Sequence, residues 1–263
     1  MHLKGYFFDW PTHPDSDSNA GGSDDSKNGV KALFLTALRY AREIFGILGN
    51  DGARLTALEN RLLKGRLPAP VKKQAAAFKA LCENNFSAEV CKTLTEGGCK
   101  GFSTFTAFYL LDAIAKCGEK ERAVQIMKEY YGAMLDKGAT SFWEDFNIEW
   151  VKNTGRIDEF PKEGEEDIHG DRGDYCYKGF RHSLCHGWSS APVPFITRYI
   201  LGVNVLSAGC GKIAIRPYLP RGVNRAEGTY PTPYGNIYIR HERINGEIVS
   251  EINAPEEIEI IRN

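Results

Sequence analysis

The spacing of apolar residues changes period at Gly202, and that switch constrains the fold more than any single motif. Upstream, apolar side chains recur at i, i+3, i+4 and i+7, which puts them on one face of a helix. Downstream they fall on alternate residues, as in strands half-buried in a sheet. A stripe with helical period cannot keep one face buried as a strand. The chain is therefore expected to hold two domains, a helical one over residues 1–202 and a β-domain over 203–263.

The helical stripes come in succession. Val30, Leu33, Phe34, Ala37, Leu38, Ala41, Phe45 and Leu48 form the first, with Gly49 as its stop. Leu55, Leu58, Leu62 and Leu63 form the second. Pro70 suits a first helical position ahead of Val71, Ala75, Phe78 and Leu81. A looser stripe runs through Phe102, Phe105, Phe108, Tyr109, Leu111 and Ile114, interrupted by Asp112. After Gly118, Ala123, Ile126, Met127, Tyr130, Met134 and Leu135 resume the pattern. Short turns between helices predict antiparallel αα-hairpins. Residues 137–187 lose periodicity, and an irregular stretch of that length inside a domain is usually functional. One more helix is expected over about 189–201. Beyond it, Ile213, Ile215 and Tyr218, then Ile237–Ile239, Ile248–Val249 and Ile258–Ile261 mark short strands. Asn245-Gly246 is a hairpin signal among them.

A chain that is 42% hydrophobic can build a core, and a net charge of −1 gives no basic surface for nucleic acid. No apolar run reaches the ~20 residues that span a bilayer, and the N-terminal residues do not read as a secretory signal. Seven cysteines, several within helical stripes, suit reduced thiols better than a disulfide framework. That favours the cytoplasm, unless the chain is cut from a longer one.

Four segments resemble one family. Gly138-Ala139-Thr140-Ser141-Phe142-Trp143-Glu144 resembles the Gly-Ala-Thr-Thr-x-Trp-Glu segment of α-L-rhamnosidases, the glycoside hydrolases of family 78. Ser183-Leu184-Cys185-His186-Gly187-Trp188-Ser189 is similar to the family's Ser-x-x-His-x-Trp-Ser signature. Phe8-Asp9-Trp10-Pro11 resembles its Asp-Trp motif, and Gly228–Gly235 resembles a segment of its C-terminal β-domain. The four stand in the family's order along nearly the whole chain.

The resemblance implies a mainly α fold. It would be part of an (α/α)6 six-hairpin barrel of antiparallel helical hairpins, followed by a small antiparallel β-sandwich. It implies inverting hydrolysis of a terminal α-L-rhamnoside, which needs a general acid and a general base. Glu144 falls on the base position. His186 matches a histidine of the sugar pocket, and Trp143, Trp188, Trp10 and Asp9 match its walls and a hydroxyl acceptor. No cofactor or metal is implied. The family's acid segment, Asp-x-x-x-x-Glu-Arg, has no counterpart here. In the family it precedes the Asp-Trp motif, near which this chain begins. The chain is therefore expected to be a fragment, a split subunit or a truncated reading of a longer enzyme, holding roughly half the helical ring, with a second chain as one way to complete it.

Each feature also has a plainer reading. The tryptophans, taken singly, are ordinary core residues, and His186 is a residue tied into a local hydrogen bond. Asp145 and Glu149 are expected to face solvent. The Asp15–Ser26 loop fails the calcium-loop register. Cys176, His182, Cys185 and His186 lack zinc-site spacing. The acidic run Glu163–Asp167 reads as a solvated lid. Besides a glycosidase, the residues admit a non-catalytic carbohydrate-binding or assembly module derived from one.

Overall fold

The structure is a computed structural model that describes residues 24–65, 69–168 and 183–262. The chain divides into two units, residues 1–191 and 192–263.

The first unit is helical. Its elements are α1 (Asp24–Ile47), α2 (Ala53–Leu63), α3 (Lys73–Glu83), α4 (Ala88–Thr95), α5 (Ala107–Lys116) and α6 (Lys120–Asp136). Helices α1, α3 and α5 pack side by side, and α2, α4 and α6 each fold back on a neighbour. This is the layered arrangement of successive helical hairpins. Gly49 and Gly118, at φ 72° and 88°, supply left-handed turns after α1 and α5. Ala107, Leu110, Leu111 and Ile114 of α5 and Ile126, Tyr130 and Met134 of α6 form the fully buried centre. Among the described helices none is long and apolar enough to cross a membrane.

The structure departs from the sequence pattern in several places. Ala32, Leu35 and Leu38 are the buried apolar residues of α1, and Ala32 and Leu35 meet Phe78 and Cys82 of α3, while Phe45 and Leu48 of the expected stripe are exposed. Pro70 stands ahead of α3 rather than inside its first turn. Helix α4 was not expected; Ser87 caps it, accepting from the Val90 amide at 3.4 Å. Phe102–Thr106 turns before α5 begins. Cys91 of α4 and Cys117 at the end of α5 are joined in a disulfide, Cα atoms 5.8 Å apart. The expectation of reduced thiols is corrected for this pair. Packing of α4 on α5 brings together two cysteines that are distant in sequence. Cys82, Cys99, Cys185 and Cys210 are free.

The second unit opens with α7 (Pro192–Phe195), which runs into a π-helical turn over Ile196–Ile200. Two three-stranded sheets follow. Strands β3 (Arg225–Thr232), β4 (Gly235–Ile244) and β5 (Glu247–Asn253) form an antiparallel meander. Asn245 and Gly246, at φ 52° and 89°, make the tight β4–β5 turn that their dipeptide predicts. Strands β1 (Val203–Val205), β2 (Lys212–Ile215) and β6 (Glu259–Arg262) form the other sheet. There β2 pairs with β6 in parallel, where antiparallel pairing was expected. The chain reaches β6 only after completing the meander, so this pair is not a hairpin and its direction is free of a tight turn. Val203, Ile213, Ile215, Ile237, Ile239 and Ile258 from both sheets share one core.

Candidate active site

The irregular stretch after α6 carries the cluster. Gly138, at φ 92°, turns the chain out of α6, and a Cβ there would stand 2.6 Å from Asp158 Oδ1. The segment Ala139–Asn147 then runs beside residues 183–189. Their backbones are joined where the Glu144 amide donates to the Ser183 carbonyl at 2.8 Å and the His186 amide donates to the Phe142 carbonyl at 3.0 Å. Ser189 Oγ donates to the Trp143 carbonyl. Two of the sequence motifs, some forty residues apart, thus become one structural element.

At its centre lies Glu144, whose side chain is 16% exposed. Its Oε2 accepts the Ser183 amide at 2.9 Å and lies 3.9 Å from His186 Nδ1. The carbonyl of Glu144 accepts Trp188 Nε1–H at 2.7 Å and the Thr104 hydroxyl. The Trp188 ring sits 4.0 Å from the His186 ring, centroid to centroid, and 5.6 Å from that of Phe105. A carboxylate, an imidazole and an indole therefore converge. The carboxylate is held by one backbone donor, the Ser183 amide, and keeps a limited opening to solvent, a setting in which it can accept a proton from a bound water.

The structure brings Glu144, His186 and Trp188 together. Trp143 does not reach the cluster's surface. It is fully buried, its ring 5.7 Å from that of Phe146, and it fixes the backbone from beneath. Its motif neighbour Phe142 packs on Tyr131, centroids 4.6 Å apart. Asp9 and Trp10 lie outside the described residues, as do Cys176, His182 and the Asp15–Ser23 part of the calcium-like loop. Asp145 is corrected: it is 4% exposed, and one carboxylate oxygen accepts the Phe146 amide at 2.8 Å. Residues 145–147 are irregular and Glu149 lies in a 3-10 turn (Ile148–Val151), so the α-helical i, i+4 spacing that put Asp145 and Glu149 on one solvent face does not hold. Glu149 pairs with Lys100 at 3.5 Å. The acidic run forms a loop closed by the Thr154–Glu166 bridge. Thr104 was missed: one of three hydroxyl residues between Phe102 and Ala107, it carries no pattern that sets it apart, and only the packing of the turn before α5 delivers it.

The first unit thus carries an anchored carboxylate beside an imidazole on layered helical hairpins, and a two-sheet β-unit follows it in sequence. Comparisons with known proteins show what this arrangement is similar to. Residues 202–260 match the family model described as the bacterial alpha-L-rhamnosidase C-terminal domain. No curated protein matches. Among solved structures, the α-L-rhamnosidase of Aspergillus terreus is 16% identical with a TM-score of 0.73, covering 100% of this chain and 31% of its own. The Streptomyces avermitilis α-L-rhamnosidase, complexed with L-rhamnose, is 17% identical with a TM-score of 0.67, covering 87% of this chain and 22% of its own. That of Dictyoglumus thermophilum is 15% identical with a TM-score of 0.65, covering 99% and 28%. The chain thus resembles α-L-rhamnosidases, in sequence over its C-terminal unit and in fold along its length. It spans under a third of each of those chains.

Proposed function

We propose that this chain supplies the general-base side of an inverting α-L-rhamnosidase. Glu144 takes a proton from a water molecule. The water oxygen attacks the anomeric carbon of a terminal α-L-rhamnoside, and the bond to the aglycone oxygen breaks on the opposite face. A carboxylic acid on that face, about 6.5–9.5 Å from the base, gives the leaving oxygen its proton. His186 and Trp188 serve the sugar, the imidazole as a hydroxyl partner and the indole as wall. Asp9 and Trp10 are assigned to the same pocket by their motif.

The observation that carries this reading is the convergence of Glu144, His186 and Trp188 within two joined segments that match family motifs in sequence. The acid is the part this sequence does not offer. An Asp-x-x-x-x-Glu-Arg segment, on the same polypeptide or on another, is the proposed source, and it would complete the ring of helices. The same gap favours the second reading, a carbohydrate-binding module without turnover.

The test is a titration with L-rhamnose followed by NMR, together with an assay on an aryl α-L-rhamnoside. Saturable shifts at Glu144, His186 and Trp188, weakened in His186→Ala, are expected. Turnover appears only when the acid-bearing partner is added and vanishes with Glu144→Gln. Turnover that no partner changes refutes the division of labour between chains. Saturable binding that never becomes turnover with a partner supports the module instead. A complete absence of shifts rejects both readings.

A further inference from the structure

We infer that Thr104 is a positioning residue for Glu144, acting through the main chain; this rests on the reading of Glu144 as the base. The Glu144 carbonyl accepts two hydrogen bonds, from Trp188 Nε1–H at 2.7 Å and from Thr104 Oγ1–H. A carbonyl oxygen has two lone pairs, so both acceptor sites are filled. Two donors from separate segments fix the plane of the Glu144–Asp145 peptide. On the other side, the Glu144 amide is held by the Ser183 carbonyl at 2.8 Å. The direction of the Cα–Cβ bond, and with it the reach of the carboxylate, follows from these anchors.

The side chain shows what the anchoring achieves. Oε2 is engaged by the Ser183 amide at 2.9 Å and faces His186. Among the described residues Oε1 carries no hydrogen bond, so it is the oxygen left to receive a proton. A catalytic group must be held within about 0.5 Å of its productive place. A base tied by one oxygen keeps the other on target only if its backbone does not rotate.

Thr104 itself is 1% exposed and lies just before α5, whose buried residues root it in the core. It cannot touch a sugar, which makes it a positioning and not a catalytic residue. Trp188, by contrast, both donates to Glu144 and stacks on His186, so its substitution disturbs more than one contact.

The experiment is amide hydrogen exchange on the full chain, paired with L-rhamnose affinity, for Thr104→Val and Thr104→Ser. Valine keeps the shape without the hydroxyl, and serine keeps the hydroxyl. In Thr104→Val the Ser183 and Glu144 amides are expected to exchange about fivefold faster, with the core amides of Leu110 and Ile126 still protected. L-Rhamnose affinity falls by a similar factor, and Thr104→Ser restores both. Thr104→Ala, which also removes the hydroxyl, is expected to give the same exchange signature and serves if the valine variant does not fold. Unchanged exchange at Ser183 and Glu144 in the folded variant overturns the inference. Faster exchange in a protein that binds no L-rhamnose in any form supports the anchoring of Glu144 and rejects the rhamnoside reading.

Discussion

Replacing Glu59 with glutamine tests the polar clamp that ties the first three helices together. Glu59, on α2, is 6% exposed. It accepts Arg39 Nε at 2.8 Å and Arg42 Nη1, both from α1, and Arg39 Nη1 reaches on to the Cys82 carbonyl of α3. Glutamine keeps the shape but offers one acceptor where there were two, and turns an NH2 group toward a guanidinium. Breaking a fully buried pair costs roughly 3–5 kcal/mol. Here the arginine side chains are 39% and 41% exposed and recover hydration, so the figure is discounted to about 2 kcal/mol. That corresponds to a fall in Tm of about 4–8 °C for a domain of this size. The tryptophans, at positions 10, 143, 150 and 188, all fall in the first unit, so urea unfolding followed by tryptophan fluorescence reads that unit selectively. The pH dependence supplies the sharper check. The Arg39 hydrogen bond, seconded by Arg42, outweighs desolvation and holds the Glu59 carboxyl below its ordinary 4.5. A carboxyl lowered in the folded state stabilises fully above its unfolded pKa and loses that contribution as pH falls through the folded value. The gap between wild type and variant is therefore complete at neutral pH and closes on acidification below 4.5. A gap under about 0.5 kcal/mol at pH 7, the scale of an ordinary surface change, or one that never narrows in acid, refutes the clamp.

Two further outcomes concern the C-terminal unit. His241 is fully buried, with Nε2 3.1 Å from the Leu201 carbonyl and Nδ1 2.7 Å from Ser250 Oγ. A carbonyl only accepts, so Nε2 carries the hydrogen and Nδ1 accepts from the serine. Burial pushes this imidazole below its ordinary 6.5, so the unfolded chain binds a proton that the folded one refuses. The unit's stability, followed by the methyl NMR signals of Ile237 and Ile239 on heating, is expected to drop as pH falls through 6.5, and His241→Phe should flatten that slope; equal slopes count against it. Gly202→Ala is expected to destabilise the unit by more than about 2 kcal/mol in the same measurement. Gly202 has φ 74°, and an added Cβ would stand 2.2 Å from the Arg216 carbonyl carbon, backbone that cannot swing aside. A neutral alanine would show that this approach is not needed.

The two periods in the sequence were enough to read helical hairpins ahead of a β-unit, because periodicity reports which face of an element is buried. The Asn245-Gly246 turn was legible for the same local reason: its dipeptide favours two consecutive positive φ angles. Helix α4 was not, since its eight residues are too few for an apolar stripe to repeat and its start rests on one serine cap. The buried stretch of α1 was misplaced along the helix: Phe45 shares the face of buried Leu38 but lies near the helix end, Leu48 lies beyond it, and only the position of α3 decides that Ala32 and Leu35 are covered.

For the candidate site, the resemblance of two segments to α-L-rhamnosidase motifs singled out Glu144, His186 and Trp188. Their identities lie in short contiguous strings whose chemistry is local. What held those strings together was decided in three dimensions. Trp143 turned inward beneath the cluster, Asp145 was buried beside it, and Thr104 arrived from another segment to meet the Glu144 carbonyl. A chain's pattern records which side chains avoid water and which turns it prefers. It holds no record of which distant backbone oxygen a buried hydroxyl will find, because that pairing is chosen only when helices pack and every enclosed polar group must be satisfied.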